Sequence, residues 1–503
     1  MRRFTALLVA GLFAASLAAP AGVMAKPGST YTVGPPSGGD DTAAIQSGLD
    51  WCVAHGPNCT VQLGAGTYRT SQLLEYNFQG TFKGAGEYRT TIQALPNLLV
   101  TGPDPTVAGG CLPNLTSCRW PDFILFVDGN VEVSDLALDF LATDGAETTL
   151  WADWGGQWRG LVTALEFTGD ARANASVDRV SITGRADHTA TNVLGFGFNV
   201  AQGIMFDGWF PAAPASFNLA TRSGTFSVRN STVRTVWEGV LVQGAVTGSQ
   251  VTIGGSPGAG NQIADVDFAL DLGAANSTFD ISYNTIAADN ASTIEVIDHA
   301  GVIVEPSGGV FAGLVSGLSQ FSIHDNTIAV NDACGCNMFG MWLIDAVPGW
   351  GATAHWFTAT IKHNAISLPG TYTLPGEGKE GIDANNITGA TISGNTITST
   401  ATGTFDGISL WGNVSGWPVA TGNSIIANDL SGVALDPTPG FAFAQVYLDP
   451  YTANNHVVCA GQGVSVLDQG TGNMVTGCGV SNSKGGGYHH AFAPGQLKPK
   501  LHP

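Results

Sequence analysis

One short pattern returns along most of this chain: a glycine followed by alternating apolar and variable residues. It reads QGIMFD at Gln202–Asp207, EGVLVQ at Glu238–Gln243, AGVIVE at Ala300–Glu305 and FGMWLI at Phe339–Ile344. It returns as EGIDAN at Glu380–Asn385, DGISLW at Asp406–Trp411, SGVALD at Ser431–Asp436 and QGVSVL at Gln462–Leu467. Ala264–Ala269 fits the same frame with Asp265 in the glycine position. Between copies falls a second pattern whose fixed element is an asparagine with an apolar residue two or three places later: Asn230, Asn284, Asn326, Asn364, Asn395 and Asn423. Both patterns have a period of two and are bounded by turn residues, so both predict short strands. Successive glycines lie 25 to 41 residues apart, too irregular for a propeller or a leucine-rich repeat. The expected fold is all-β, a parallel β-helix whose turns stack about 4.8 Å apart. Its inward stack is expected to hold Ile204, Val240, Val266, Val302, Met341, Ile382, Ile408 and Val433. The turn asparagines tolerate left-handed backbone and can bond the next turn's asparagine, a structural role.

The N-terminal end predicts a cap for the solenoid. Asp40-Asp41 opens a helix, expected over 40–54, whose Ile45, Leu49 and Cys52 or Val53 share one face. Such a helix would cover the first open turn and protect its edge. Residues 1–25 read as a secretory leader, with Arg2 and Arg3 ahead of an apolar stretch and Val23-Met24-Ala25 before the cleavage point. The expected layout is a leader at 1–25, one β-helix domain at 26–480 and a loose tail at 481–503, exported to a periplasmic or extracellular compartment. Eight cysteines agree with an oxidising compartment. Pairs 52–59, 111–118 and 459–478 are expected, while Cys334 and Cys336 are too close for an easy bridge.

The segments DDTAAIQ at Asp40–Gln46 and VQLGAGTY at Val61–Tyr68, with the asparagine repeats, resemble the pectate-lyase-like superfamily of right-handed parallel β-helix proteins. The resemblance spans nearly the whole chain after the leader and implies a right-handed solenoid. It does not select an activity, because the superfamily includes lyases, glycoside hydrolases, epimerases, tailspikes and non-catalytic surface proteins. The polygalacturonase signatures are missing: the one Asp-Asp lies in the capping helix, and there is no Gly-His-Gly or Arg-x-Lys. The arginine partner of a pectate lyase and the Asp-Pro-His-Asp of alginate epimerases are also missing.

In a β-helix the interior is packed, so chemistry belongs on an outward face or in loops. The repeat frame puts Asp265, Asp267 and Asp271 outward on one strand, with Val266, Phe268, Leu270 and Leu272 inward. Residues two apart on a strand are about 6.5–7 Å apart, the separation an inverting glycosidase keeps between acid and base. Asp265 and Asp267 are therefore the expected catalytic pair, with Glu305 as a third carboxylate and Asp207 and Asp271 beside the substrate. Crowded carboxylates raise one another's pKa, as a general acid requires. They also suit Ca²⁺, or simply form a solvated acidic face.

Trp151, Trp154 and Trp158 form an aromatic group that can stack on sugars or pack down a loop, and Arg185 is the local cation for a lyase-type site. The formal charge of −20, or −22 without Arg2 and Arg3, lacks the basic footprint of a nucleic-acid binder. The expected partner is a polysaccharide. The expected activity is glycoside hydrolysis with no resident cofactor. A Ca²⁺-assisted lyase and a non-catalytic glycan-binding β-helix stand as alternatives. No membrane span is expected once the leader is cleaved.

Overall fold

The computed structural model describes residues 28–95, 122–142, 151–153, 156–158, 162–169, 174–186, 198–207, 223–243, 246–273, 276–289, 299–306, 317–331, 337–345, 355–370, 378–412, 419–437, 444–461 and 463–480. The leader, the C-terminal tail, Trp154 and the cysteines at 111, 118, 334 and 336 lie outside them.

The chain is a parallel β-helix, as the repeats predict, and right-handed, as the resemblance implies. One face is a thirteen-stranded parallel sheet that begins at Leu73–Tyr76 and ends at Gly479–Val480. The other two faces join into one sheet, because Asn130–Asp139 and Ala175–Thr183 are long enough to pair on both. Among the described residues no helix is long and apolar enough to cross a membrane.

In the thirteen-stranded sheet one inward column runs in register through Ile204, Val240, Leu270, Val302, Met341, Ile382, Ile408 and Val446. Each side chain is at most 1% exposed. Two expected members are corrected. Val266 and Val433 are buried, but Leu270 and Val446 hold those rungs, and Val433 pairs with Ser399 on another face. Aromatic rings stack as well, Phe279 on Phe321 of the next rung at 4.1 Å and Phe206 on Phe226 across two faces at 4.6 Å between centroids.

The repeated glycine has a packing cause. A Cβ on Gly239 would lie 2.5 Å from the Ala269 carbonyl oxygen and 2.6 Å from Ile263 Cγ2. One on Gly301 would lie 2.4 Å from Ile328 Cγ2 and 2.7 Å from the Gly340 carbonyl oxygen. The turn thus approaches both the next rung and the neighbouring face too closely for a side chain. Phe268 pairs with Glu238 and Ala300, so Ala269, not Asp265, occupies the glycine position.

The asparagines form a ladder, though not with the expected backbone. The Nδ2 of Asn261 donates to Asn284 Oδ1, and the chain continues through Asn326, Asn364 and Asn395 to Asn428 at 2.9–3.0 Å. Each also accepts the backbone N–H of the preceding member and sends its amide to a carbonyl, as Asn326 does to Ile281. Left-handed backbone falls instead on the preceding residue, as at Tyr283, Asp325 and His363. Asn423 belongs to a second ladder with Asn455 and Asn473. Asn230 belongs to neither: it is itself left-handed and donates to Asp178.

The predicted helix occupies Thr42–His55, burying Ile45, Leu49 and Cys52 against the first strands while Val53 is exposed. Asp41 holds the N-cap position, but its carboxylate accepts the Ser37 and Arg69 N–H groups instead of capping the helix. Burial works against its charge; those bonds outweigh it and hold its pKa below the ordinary value. Disulfides Cys52–Cys59 and Cys459–Cys478 are present as expected.

Candidate active site

On the outward side of the thirteen-stranded sheet, strands Lys379–Asn385 and Thr404–Trp411 bring three carboxyls together. Glu380 pairs in register with Asp406, Asp383 with Ser409 and Asn385 with Trp411. A bulge at Phe405 produces this alignment: Lys379 faces Thr404, but the next pair is Glu380 with Asp406. Bulges re-aim side chains, often beside active sites.

The Ser409 hydroxyl lies 2.6 Å from Glu380 Oε2 and 3.0 Å from Asp383 Oδ1. A hydroxyl carries one proton. Both contacts are hydrogen bonds only when one of the two carboxyls is itself protonated and donates to Oγ. Asn385 Nδ2 donates to the other Asp383 oxygen at 2.8 Å. Asp406 Oδ1 accepts the Ala444 N–H at 3.3 Å, while its buried Oδ2 has no hydrogen-bond partner.

Electrostatics agree with a shared proton. Burial pushes the Glu380 carboxyl up to about 7, although the Ser409 hydroxyl and the Trp411 indole favour its charged form. Burial, and then the charge of Glu380, push Asp383 and Asp406 well above the ordinary carboxylate range. The three titrate as one unit. Asp383, Asp406 and Ser409 are fully buried, whereas Glu380 and Trp411 each keep 7% exposure and mark the approach from solvent.

Aromatic residues border the trio on both sides in register. Phe339 and Trp342 stand beside Glu380 and Asp383, and Tyr447 stands beside Ser409. Burial, and then the charges of Asp449, Asp406 and Glu380, keep the Tyr447 phenol protonated. Past this border, Asp345 Oδ2 is 2.7 Å from His355 Nδ1, and His355 Nε2 is 2.9 Å from Thr388 Oγ1.

The residues expected from sequence lie elsewhere. Asp265 sits in left-handed backbone between strands Gln262–Ala264 and Phe268–Gly273, so it does not share a strand face with Asp267. Its N–H donates to Asp289. Asp267 is fully buried, 3.3 Å from His299 Nε2. The alternation assumed for this segment also fails: Ala269, Leu270 and Leu272 all join the main core, while Phe268 joins a separate apolar cluster with Ala300, Ile303, Phe339 and Trp342.

Asp271 and Glu305 do come together, bridged by the Gln243 amide at 3.2 and 2.9 Å. Asp207 is in register with Gln243 and accepts the Thr168 hydroxyl at 2.6 Å. Arg185 is half-buried, and its backbone pairs with Asn199. The backbones of Trp151 and Trp158 are register partners in a short antiparallel strand pair. Among the described residues no cluster of three or more His, Cys, Asp or Glu is arranged to hold a metal ion.

The trio itself was missed in the sequence, although a signal was there. EGIDAN and DGISLW are consecutive copies only 26 residues apart, each with an acid directly before the glycine.

No protein-family model matches the chain, and no curated protein matches it in sequence. Solved structures match in fold. The Dettilon tailspike protein is 13% identical with a TM-score of 0.50, the match covering 89% of this chain and 68% of that one. A polygalacturonase from Erwinia carotovora ssp. carotovora is 13% identical with a TM-score of 0.39, covering 91% and 97%. PfbA, a surface adhesin of Streptococcus pneumoniae, is 10% identical with a TM-score of 0.42, covering 92% and 96%.

Proposed function

We propose that this chain is an exported carbohydrate-active enzyme that hydrolyses a glycosidic bond at Glu380, Asp383 and Asp406. The observation that carries this reading is the Ser409 hydroxyl between Glu380 and Asp383, within a buried trio whose carboxyls are all raised. Glycoside hydrolysis needs a carboxylic acid to protonate the leaving oxygen and a carboxylate to assist attack at the anomeric carbon. Near neutral pH a coupled trio offers both forms at once.

In the reaction the C–O bond to the leaving sugar breaks and its oxygen takes a proton from the protonated member. A water oxygen bonds to the anomeric carbon and gives its proton to the ionised member, so the trio ends with its starting proton count. Trp342 and Trp411, the more open of the bordering rings at 6% and 7% exposure, supply apolar surface beside the reacting bond, suited to the C–H faces of a sugar ring. A polysaccharide fits the extended run of stacked strands on this face, and the disulfides fit an oxidising compartment.

The test is reducing-end release from a panel of polysaccharides by the full chain, with Asp383→Asn in parallel. Hydrolysis by the parent and a loss of at least a hundredfold in the variant are expected. Equal rates in both would remove Asp383 from the chemistry.

A further inference from the structure

We infer that the substrate of this site is an uncharged glycan, not a polyuronate; the inference rests on the trio reading above. A uronate polymer brings one carboxylate per sugar. Binding it beside three buried carboxyls requires a cation to neutralise the added charge. Between residues 235 and 480 the sequence contains no arginine and only two lysines, Lys362 and Lys379.

Neither lysine serves the trio. Lys379 directly precedes Glu380, yet its ammonium donates to the Gly370 carbonyl at 2.5 Å, the Thr400 carbonyl at 3.1 Å and the Thr400 hydroxyl at 2.6 Å. An ammonium has three N–H groups, so all of them are engaged away from the carboxyls. Lys362 ends the Phe357–Lys362 strand, which belongs to the joined sheet and not to the thirteen-stranded one. The nearby histidine, His355, has both ring nitrogens engaged by Asp345 and Thr388.

What flanks the trio is aromatic: Phe339 and Trp342 on one side, Tyr447 on the other, and Trp411 at the end of the strand that carries Asp406 and Ser409. Aromatic faces recognise the apolar side of a pyranose and need no charge on it. The chain's overall charge of −20 acts in the same direction, repelling polyanions before they reach the site.

The experiment compares initial rates of reducing-end release at low ionic strength from uncharged polymers (a β-glucan, a galactan, a mannan and a rhamnan) and from polygalacturonate and alginate. The parent chain and Asp383→Asn are run together, with circular dichroism to confirm that both fold alike. The expected result is release from at least one uncharged polymer at ten times the rate from either polyuronate, abolished by the substitution. Cleavage of a polyuronate at an equal or higher rate, also abolished by Asp383→Asn, overturns the uncharged-substrate inference and leaves the trio standing. So does Ca²⁺-dependent formation of unsaturated ends. Release that ignores the substitution, or release from none of the six polymers, overturns the trio reading itself.

Discussion

Glu380 and Asp406 face one another across neighbouring strands of the thirteen-stranded sheet, brought opposite by the bulge at Phe405. Strands in a ladder are about 4.8 Å apart, so two buried carboxyls at that spacing cannot both ionise without penalty. Glu380→Gln and Asp406→Asn should each lower turnover by roughly 10²–10⁴-fold, because each keeps shape and removes proton transfer. Steady-state kinetics on the substrate found by the polysaccharide panel decides this. A rate within threefold of the parent for either variant excludes that residue from the chemistry.

Ser409→Ala tests the proton-sharing arrangement. The hydroxyl's single proton favours the charged form of whichever carboxyl accepts it, so its removal raises the pKa of the ionised member further. The acidic limb of the pH–rate profile should therefore move to higher pH, by about one unit for a hydrogen bond to a charged group. Ser409→Thr keeps the hydroxyl and should restore the parent profile. A uniform loss of rate without movement of the limb would mean that Ser409 only packs.

The asparagine ladder makes a stability prediction. Asn326 accepts from the backbone and side chain of Asn284 and donates to Ile281 and Asn364. Asn326→Ala leaves several buried polar groups without partners, at about 1–3 kcal/mol for each. Asn230→Gly removes only a half-buried bond to Asp178 and is at ease in the left-handed backbone there. Chemical denaturation should show the first variant at least 2 kcal/mol less stable than the second; equal stabilities would deny the ladder its role.

The capping helix carries a pH dependence. Burial and then the neighbouring Asp50 push Glu75 up to about 7, and Gln46 Nε2 contacts both acids at 2.9–3.1 Å. A carboxyl raised in the folded state binds its proton more tightly there than in the unfolded chain. Its contribution to stability is full below pH 4.5 and is lost as pH rises through about 7. Stability should fall by roughly 1–3 kcal/mol across that window, and Glu75→Gln should flatten the fall. Thermal melts at pH 4.5 and 7.5 check it; parallel curves for the two proteins would rule it out.

The strands, the core and the rung-to-rung asparagine bonds were legible because each follows from local alternation repeated many times. Val240, Val302 and Ile382 announce themselves by period alone. The site was less legible because its chemistry depends on which residues of different turns lie side by side. Asp265-x-Asp267 looked like a face of one strand, but left-handed backbone at Asp265 ends the strand there. Four residues of drift then moved the glycine position to Ala269. The raised carboxyls at 380, 383 and 406 arise from burial and from one another across a bulge that alternation does not foretell.

The ladder from Asn261 to Asn428 also bears on how such a chain can change length. Each asparagine is satisfied by an identical residue one rung away, so the bond at any step is indifferent to which rung supplies it. Removing or duplicating the whole stretch between two ladder asparagines returns the same donor to the same acceptor, with inward and outward faces still in phase. Losing a single residue within a rung does neither. Growth and shrinkage of this solenoid are thus quantised in complete turns, and a gene encoding it can gain or shed a turn far from Glu380 and Asp406 while leaving their alignment untouched.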